Sequence, residues 1–279
     1  MAFVTRFAPS PTGYLHLGHA LSALTAFDAA QAAGGRFLLR IEDIDQGRAR
    51  SEFEAAIYED LAWLGLRWEE PVRRQSEHMA DYQRALNDLI ARGLIYRCFR
   101  TRREIAEASA SAPHGHVEAF RGVPLSADEE RDRLARNEPF AWRLSLNRAR
   151  ESLGADYAAL SFEDETSRVV ANPEILGDVV LARKDFPTSY YLASVLDDAL
   201  QGVTHVIRGE DLREAAHLHI LLQKLIGLPQ PVYRHHRLVL GPDGKRLAKR
   251  DQAATLRALR EAGKSPEDIR VLLNVEKPA

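Results

Sequence analysis

Two clusters of residues in this chain have the types and spacing to handle a phosphorylated substrate. The first, Pro9-Ser-Pro-Thr-Gly13-Tyr-Leu-His16-Leu-Gly18-His19, falls where an apolar run turns into a helical pattern. Unsatisfied backbone N–H groups and the positive end of a helix dipole attract anions at such a place, and Gly13 and Gly18 let a ligand come close to the backbone. His16 and His19 could donate hydrogen bonds to a triphosphate and, when protonated, stabilise charge developing on its α-phosphate. Taken alone, the pair would also suit ordinary polar positions or an i, i+3 metal site. The second cluster, Gly241-Pro-Asp-Gly244-Lys245-Arg-Leu-Ala-Lys249-Arg250, is a glycine-rich turn that delivers four basic side chains within six residues. Such a loop could close over phosphates, with Lys249 following the phosphoryl group as pyrophosphate departs. By itself it would sooner be a solvated basic turn or a localisation signal, and it gains weight through its pairing with the first cluster.

The elements that must position these clusters can be read from periodicity. Residues 2–8 read as a short buried strand, and Leu17, Leu21, Leu24 and Phe27 form the inward stripe of a helix that Gly34 and Gly35 end. Residues 36–42 read as a second buried strand, giving β-α-β within about 40 residues. Ser51 and Glu54 have capping-box spacing before a helix carrying Phe53, Ile57, Leu61 and Leu64. Ser76 is expected to cap another helix, with Met79, Tyr82, Leu86 and Leu89 inward. Residues 101–137 lack clear periodicity and read as an insertion or mobile segment. Strands are expected at 140–144 and 178–182, then helix, strand and helix at 189–200, 204–208 and 212–225. The expected fold class is α/β, a doubly wound, Rossmann-like parallel sheet with an inserted α+β subdomain and a short helical C-terminal segment. Expected limits are 1–96 and 181–240 for the two halves of the catalytic domain, 97–180 for the insertion, and 241–279 for the basic loop and terminal helices.

Composition narrows the functional classes. The chain has 279 residues, 45% hydrophobic and 28% charged, which suits one or two packed domains. A net charge of −2 gives no global attraction to a polyanion, so nucleic-acid contact must come from a local patch. The single cysteine, Cys98, excludes an internal disulfide and fits a reducing, cytoplasmic compartment. Neither an export signal nor a membrane span is indicated, and a monomer is expected.

The segment Arg6-Phe-Ala-Pro-Ser-Pro-Thr-Gly-Tyr-Leu-His-Leu-Gly-His19 resembles the HIGH signature of class I aminoacyl-tRNA synthetases, specifically of their glutamyl branch. Arg246-Leu-Ala-Lys-Arg250 is similar to the KMSKS partner. Ile41-Glu-Asp-Ile-Asp45, Tyr190-Tyr-Leu-Ala-Ser-Val-Leu-Asp-Asp198 and Gly202-Val-Thr-His-Val-Ile-Arg-Gly-Glu-Asp211 match further blocks in the family's order. The resemblance implies an enzyme, a ligase, that binds L-glutamate through Arg6, Ala8, Ser10, Glu42, Tyr190 and Arg208. It implies ATP binding by Pro9, Gly18, His19 and Lys249, with His16, His19 and Lys249 catalytic and Mg²⁺ assisting. Arg6 and Arg208 would pair with the two carboxylates and Glu42 would accept from the ammonium group. Two departures bear on the loop: Arg246 replaces a lysine and Ala248 a serine. Where relatives carry Cys-x-Cys, a tyrosine and another cysteine as a zinc site, this chain has Cys98, Arg100, Phe120 and Pro124. Cys98 with His114 and His116 supplies only three ligands at unfamiliar spacing, so zinc is not expected.

After Arg250, 29 residues follow, enough for one or two helices, and no helical anticodon-binding domain is expected. The resemblance is then to truncated, tRNA-modifying members of the glutamyl branch. It implies that glutamate, activated as the adenylate, passes to queuosine at the wobble position of tRNA(Asp), with the insertion receiving the anticodon loop. Competing readings are a short enzyme charging a tRNA 3′ end, a small-molecule ligase or nucleotidylyltransferase on the same fold, and a non-catalytic tRNA-binding regulatory protein.

Overall fold

The structure is a computed structural model describing residues 2–101, 103–105, 119–165, 167–183, 187–240 and 255–276. In chain order the strands and helices used below are β1 (Val4–Phe7), α1 (Leu17–Ala32), β2 (Arg36–Ile41), α2 (Ser51–Trp63), β3 (Glu69–Arg74), α3 (Met79–Ala91), β4 (Ile95–Cys98) and α4 (Ala127–Ala135). There follow β5 (Ala141–Leu144), α5 (Leu146–Leu153), α6 (Ala155–Ala158), β6 (Ser161–Asp164), β7 (Ser167–Val170) and β8 (Val180–Arg183). The chain continues with α7 (Tyr190–Leu200), β9 (His205–Gly209), α8 (Arg213–Ile226), β10 (Val232–His236), α9 (Leu256–Glu261) and α10 (Pro266–Leu273).

Strands β1, β2 and β3 form one parallel sheet, and β9, β10 and β6 a second, edged by antiparallel β7. The two meet at β1 and β9: the Thr204 N–H donates to the Val4 carbonyl at 2.9 Å and the Val4 N–H to Thr204 Oγ1 at 2.8 Å. Strand order therefore runs outward in both directions from this junction, the switch point at which open α/β sheets bind ligands beyond the carboxyl ends of their strands. The expected doubly wound α/β fold is what the chain adopts. β4, β5 and β8 form a separate antiparallel sheet. Sheet membership crosses the proposed domain limits at 97 and 180, because β6 and β7 join the parallel sheet while β8 completes the antiparallel one.

The central strands β1, β2 and β9 are largely buried on both faces, and side-chain alternation assigns the strand residues to two cores. Phe7, Phe37, Leu39, Ile41 and Ile207 pack with α1, α2, α9 and α10. Val4, Leu38, Val206 and Tyr233 pack on the other face with α3, α7 and α8. Ala20, Ala23, Ala26 and Ala30 join Leu21 and Leu24 in lying buried along α1, whereas Leu17 and Phe27 are half-buried. Small side chains bring that helix close to the strands.

Three local expectations need correction. Ser51 and Glu54 form no capping box: Arg50 is the N-cap without a side-chain bond. Glu54 is instead drawn away by Arg74 Nη2 at 2.5 Å and Tyr58 Oη at 3.1 Å. Ser76 does not cap α3, which starts at Met79 behind His78; its hydroxyl and N–H donate to Asp43 at 2.5 and 2.8 Å. Within 101–137, residues 127–135 form α4, capped by the reciprocal Ser126–Glu129 pair. That helix buries no residue, so no apolar stripe announces it. Residues 106–118, with His114 and His116, lie outside the described residues.

Candidate active site

Alternation along three strands places three arginines on the face covered by α7 and α8. Arg6 follows Val4 by two residues, Arg40 follows Leu38, and Arg208 follows Val206, so each shares the face of the apolar residue before it. Burying a cation is costly unless partners meet it. The two ends of the site meet it differently.

At the first end, Arg6 Nε and Nη2 donate to Asp198 at 2.9 and 3.3 Å. Arg40, with no exposure, donates from Nη1 to the same carboxylate at 2.8 Å and to Gln201 at 2.9 Å, and from Nη2 to Glu42 at 3.3 Å. Asp197, beside Asp198 on α7, accepts from Arg73 at 2.8 Å, Gln75 at 2.8 Å and Tyr82 at 2.9 Å. Burial alone would raise the Asp198 pKa, but Arg6 and Arg40 outweigh it and hold the carboxyl well below its usual range. Glu42 is pushed up by burial, against the opposing charges of Arg40 and Arg6.

At the second end, Arg208 donates from Nη1 to Tyr190 Oη at 3.1 Å and to His219 Nδ1 at 3.3 Å, and from Nε to His235 Nε2 at 3.2 Å. Its guanidinium carbon lies 5.1 Å from the centre of the Tyr233 ring. Nη2 is buried without a hydrogen-bond partner among the described residues. Burial, then the Arg208 charge, push His219 well below the ordinary histidine value and His235 down to about 4, so both rings are neutral near pH 7.

Beyond the sheet, His16 is the N-cap of α1. Its Nδ1 accepts from the Gly18 N–H at 3.0 Å, while His19 Nδ1 accepts from the His16 N–H at 3.2 Å. With Nδ1 accepting a backbone N–H, Nε2 is the nitrogen of each ring placed to donate. The hydrogen-bond donation to a phosphate expected of the pair would then run through Nε2–H. Gly18 also has a different reason to be glycine, since a Cβ there would meet His16 Cε1 at 3.0 Å. The space goes to the capping ring.

One cleft of about 280 Å³ gathers these parts. Arg6, Ala8, Pro9, Ser10, His16, Gly18, His19, Glu42, Tyr190 and Arg208 all line it. Lys249, Arg246 and Ala248 lie outside the described residues. Val239 lines the cleft before the stretch that contains them, and after it Thr255 bridges His16, with the Leu256 N–H donating to the Leu15 carbonyl at 2.8 Å. Asp198, Arg40, His219 and His235 were missing from the candidates read in sequence. Arginines at two-residue spacing from an apolar strand position, opposite an Asp-Asp pair in an apolar helix, are the signal that would have found the first two.

Among the described residues no three or more His, Cys, Asp or Glu side chains converge as a metal site. Cys98 is buried in β4, beside a second cavity lined by Arg97, Arg100, Arg121 and Phe120. No helix of the described residues is long and apolar enough to cross a membrane.

A cleft at a switch point, entered by a histidine-capped helix and walled by arginines, is the arrangement of a class I synthetase catalytic core. The family described as tRNA synthetases class I (E and Q), catalytic domain, matches residues 2–274, and the chain belongs to it. A Glutamyl-Q tRNA(Asp) synthetase of Rhodobacter capsulatus is 49% identical, over 98% of this chain and 100% of the relative. A glutamate–tRNA ligase of Aquifex aeolicus is 38% identical, over 95% of this chain and 55% of the relative. The crystal structure of a glutamate tRNA ligase from Elizabethkingia meningosepticum, in complex with its amino acid, superposes with a TM-score of 0.79 at 29% identity. That match covers all of this chain and 63% of the ligase.

Proposed function

We propose that this protein activates L-glutamate with ATP and passes the glutamyl group to queuosine at the wobble position of tRNA(Asp). The observation that carries an anionic substrate is the Arg208 end of the cleft, and the identity with glutamate-specific relatives supports glutamate as that substrate. A buried guanidinium whose protein partners are all neutral, with one nitrogen unpartnered, calls for an anionic ligand. Ser10, Tyr190 and the backbone around Ala8 complete the amino-acid side, and Glu42 is suited to accept from the α-ammonium. The identity with Glutamyl-Q tRNA(Asp) synthetases supports the choice of acceptor.

In the first step an oxygen of the substrate α-carboxylate attacks the α-phosphorus of ATP. The bond from that phosphorus to the bridging oxygen breaks, and pyrophosphate leaves. His16 and His19 donate Nε2–H to the α-phosphate, supported by the N-terminus of α1, and Lys249 follows the departing phosphates. A magnesium ion bound with the nucleotide would add to the neutralisation of phosphate charge. In the second step a hydroxyl of the queuosine cyclopentene ring attacks the acyl carbon, the bond from that carbon to the phosphate oxygen breaks, AMP leaves and the hydroxyl proton passes to the departing phosphate or to solvent. The insertion between Arg97 and Asp178 is the part proposed to receive the anticodon loop.

ATP–pyrophosphate exchange dependent on glutamate, followed by acylation of tRNA(Asp) with and without queuosine, tests both steps. Label only on the queuosine-bearing tRNA is expected. Equal labelling of both would transfer the reading to 3′-end charging, and exchange supported by no amino acid would sink it.

A further inference from the structure

His235 lies on β10 with its side chain 1% exposed. Its Nδ1 is 3.2 Å from both oxygens of Asp164, and because a carboxylate only accepts, that nitrogen carries the proton. Nε2 is therefore bare and receives the Nε–H of Arg208. Asp164 is itself fixed by Arg213 Nη2 at 2.6 Å, so its charge is met from the far side. The backbone holds the same partners in register, since β6 pairs with β10 at Asp164 and Tyr233, and β10 pairs with β9 at His235 and Arg208. The Tyr233 ring lies parallel to the imidazole at 5.9 Å.

We propose that His235, oriented by Asp164, is a positioning and specificity-determining residue: it clamps one edge of Arg208 with a neutral acceptor and so leaves the guanidinium charge for a substrate carboxylate. The inference rests on the glutamate reading above and takes the carboxylate held by Arg208 to be that of the side chain, since the α-carboxylate is shared with glutamine. The contrast with Arg6 supplies its logic. A carboxylate placed where His235 stands would satisfy Arg208 from within the protein, as Asp198 satisfies Arg6, and remove the electrostatic advantage of a carboxylate ligand over the isosteric amide.

The test measures binding of glutamate and glutamine by calorimetry, and KM and kcat by ATP–pyrophosphate exchange, in the full chain. His235→Glu is expected to raise the glutamate KM about tenfold or more and to shrink the preference over glutamine, with kcat changed less than about threefold. His235→Gln, whose Oε1 can accept from Arg208 without charge, should rescue to within about threefold of the wild type. The KM for ATP should not move in either. Wild-type glutamate affinity and selectivity in His235→Glu, or equal damage in His235→Gln and His235→Glu, would overturn the proposal. Should His235→Glu not fold, His235→Leu carries the test: a raised glutamate KM supports the clamp and an unchanged one refutes it. Wild-type protein that binds neither amino acid would fail the glutamate reading itself, whatever the variants do, and this inference with it.

Discussion

Arg6 and Arg208 stand near the ends of neighbouring strands, face the same layer of helices and are equally buried at 5% exposure. Their surroundings differ in sign. Arg6 shares the Asp198 carboxylate with Arg40, whereas Arg208 is met by a phenol and two imidazoles. Burial is the same, so it cannot explain the difference. One end of the cleft is neutralised by the fold and acts through shape and hydrogen bonding, while the other keeps a charge that only a ligand cancels.

The strongest way to break this comparison is to unbalance the neutralised end. Asp198→Asn removes the shared counter-charge of two buried guanidinium groups, and breaking such a pair is expected to cost about 3–5 kcal/mol. Urea denaturation near pH 7 measures it, with the midpoint falling and the slope unchanged. The direction of the Asp198 shift fixes the pH window. A carboxylate held below its unfolded value contributes stability above that value, so the contribution fades as acid titration proceeds below about pH 4. A loss under about 1 kcal/mol would show that the Arg6 end does not depend on its counter-charge.

Arg208→Gln addresses the other end. Here the loss should appear in function: kcat/KM for glutamate is expected to fall about 10²-fold, with a smaller change in stability than in Asp198→Asn. Since burial and Arg208 keep His235 and His219 neutral, the wild-type KM for glutamate should stay flat between about pH 6 and pH 8. An inflection there that vanishes in His235→Gln would contradict the neutral cradle.

Sequence reading located the cleft better than it explained it. The candidates from Arg6 to Arg208 lie together because each stands near or just after a strand end or opens a helix, positions that glycine, proline and apolar runs mark locally. What holds the arginines was harder to see. Asp198, His219 and His235 lie on α7, α8 and β10, far from Arg6 or Arg208 in sequence or on another element, and only strand order makes them neighbours. Arg40 read as part of an apolar strand and Asp198 as part of a family block, with nothing local to show that they bond. The capping error at Ser51 has the same origin: a tertiary partner, Arg74, outcompeted the local one for Glu54.

Asp60 tests whether a buried charge without a hydrogen-bonded partner is by itself a mark of function. It lies on α2 with no exposure, neither oxygen has a hydrogen-bond partner among the described residues, and Arg260 of α9 approaches only to 3.8 Å while bonding Glu59 at 2.8 Å. Burial, opposed by Arg260, raises its carboxyl to about 6. The folded protein therefore holds this proton more tightly than the unfolded chain, and stability falls as pH rises between about 4 and 6. Asp60→Asn should regain about 1–2 kcal/mol near pH 7.5, after allowance for solvent screening, and nothing below about pH 4. Thermal melts at the two pH values measure the difference. Asp60 does not line the cleft, so glutamate binding should be unchanged. If binding were lost while stability stayed put, an unpaired buried charge would no longer distinguish a ligand site from a local cost in this fold. The case for Arg208 would then rest on its place in the cleft alone.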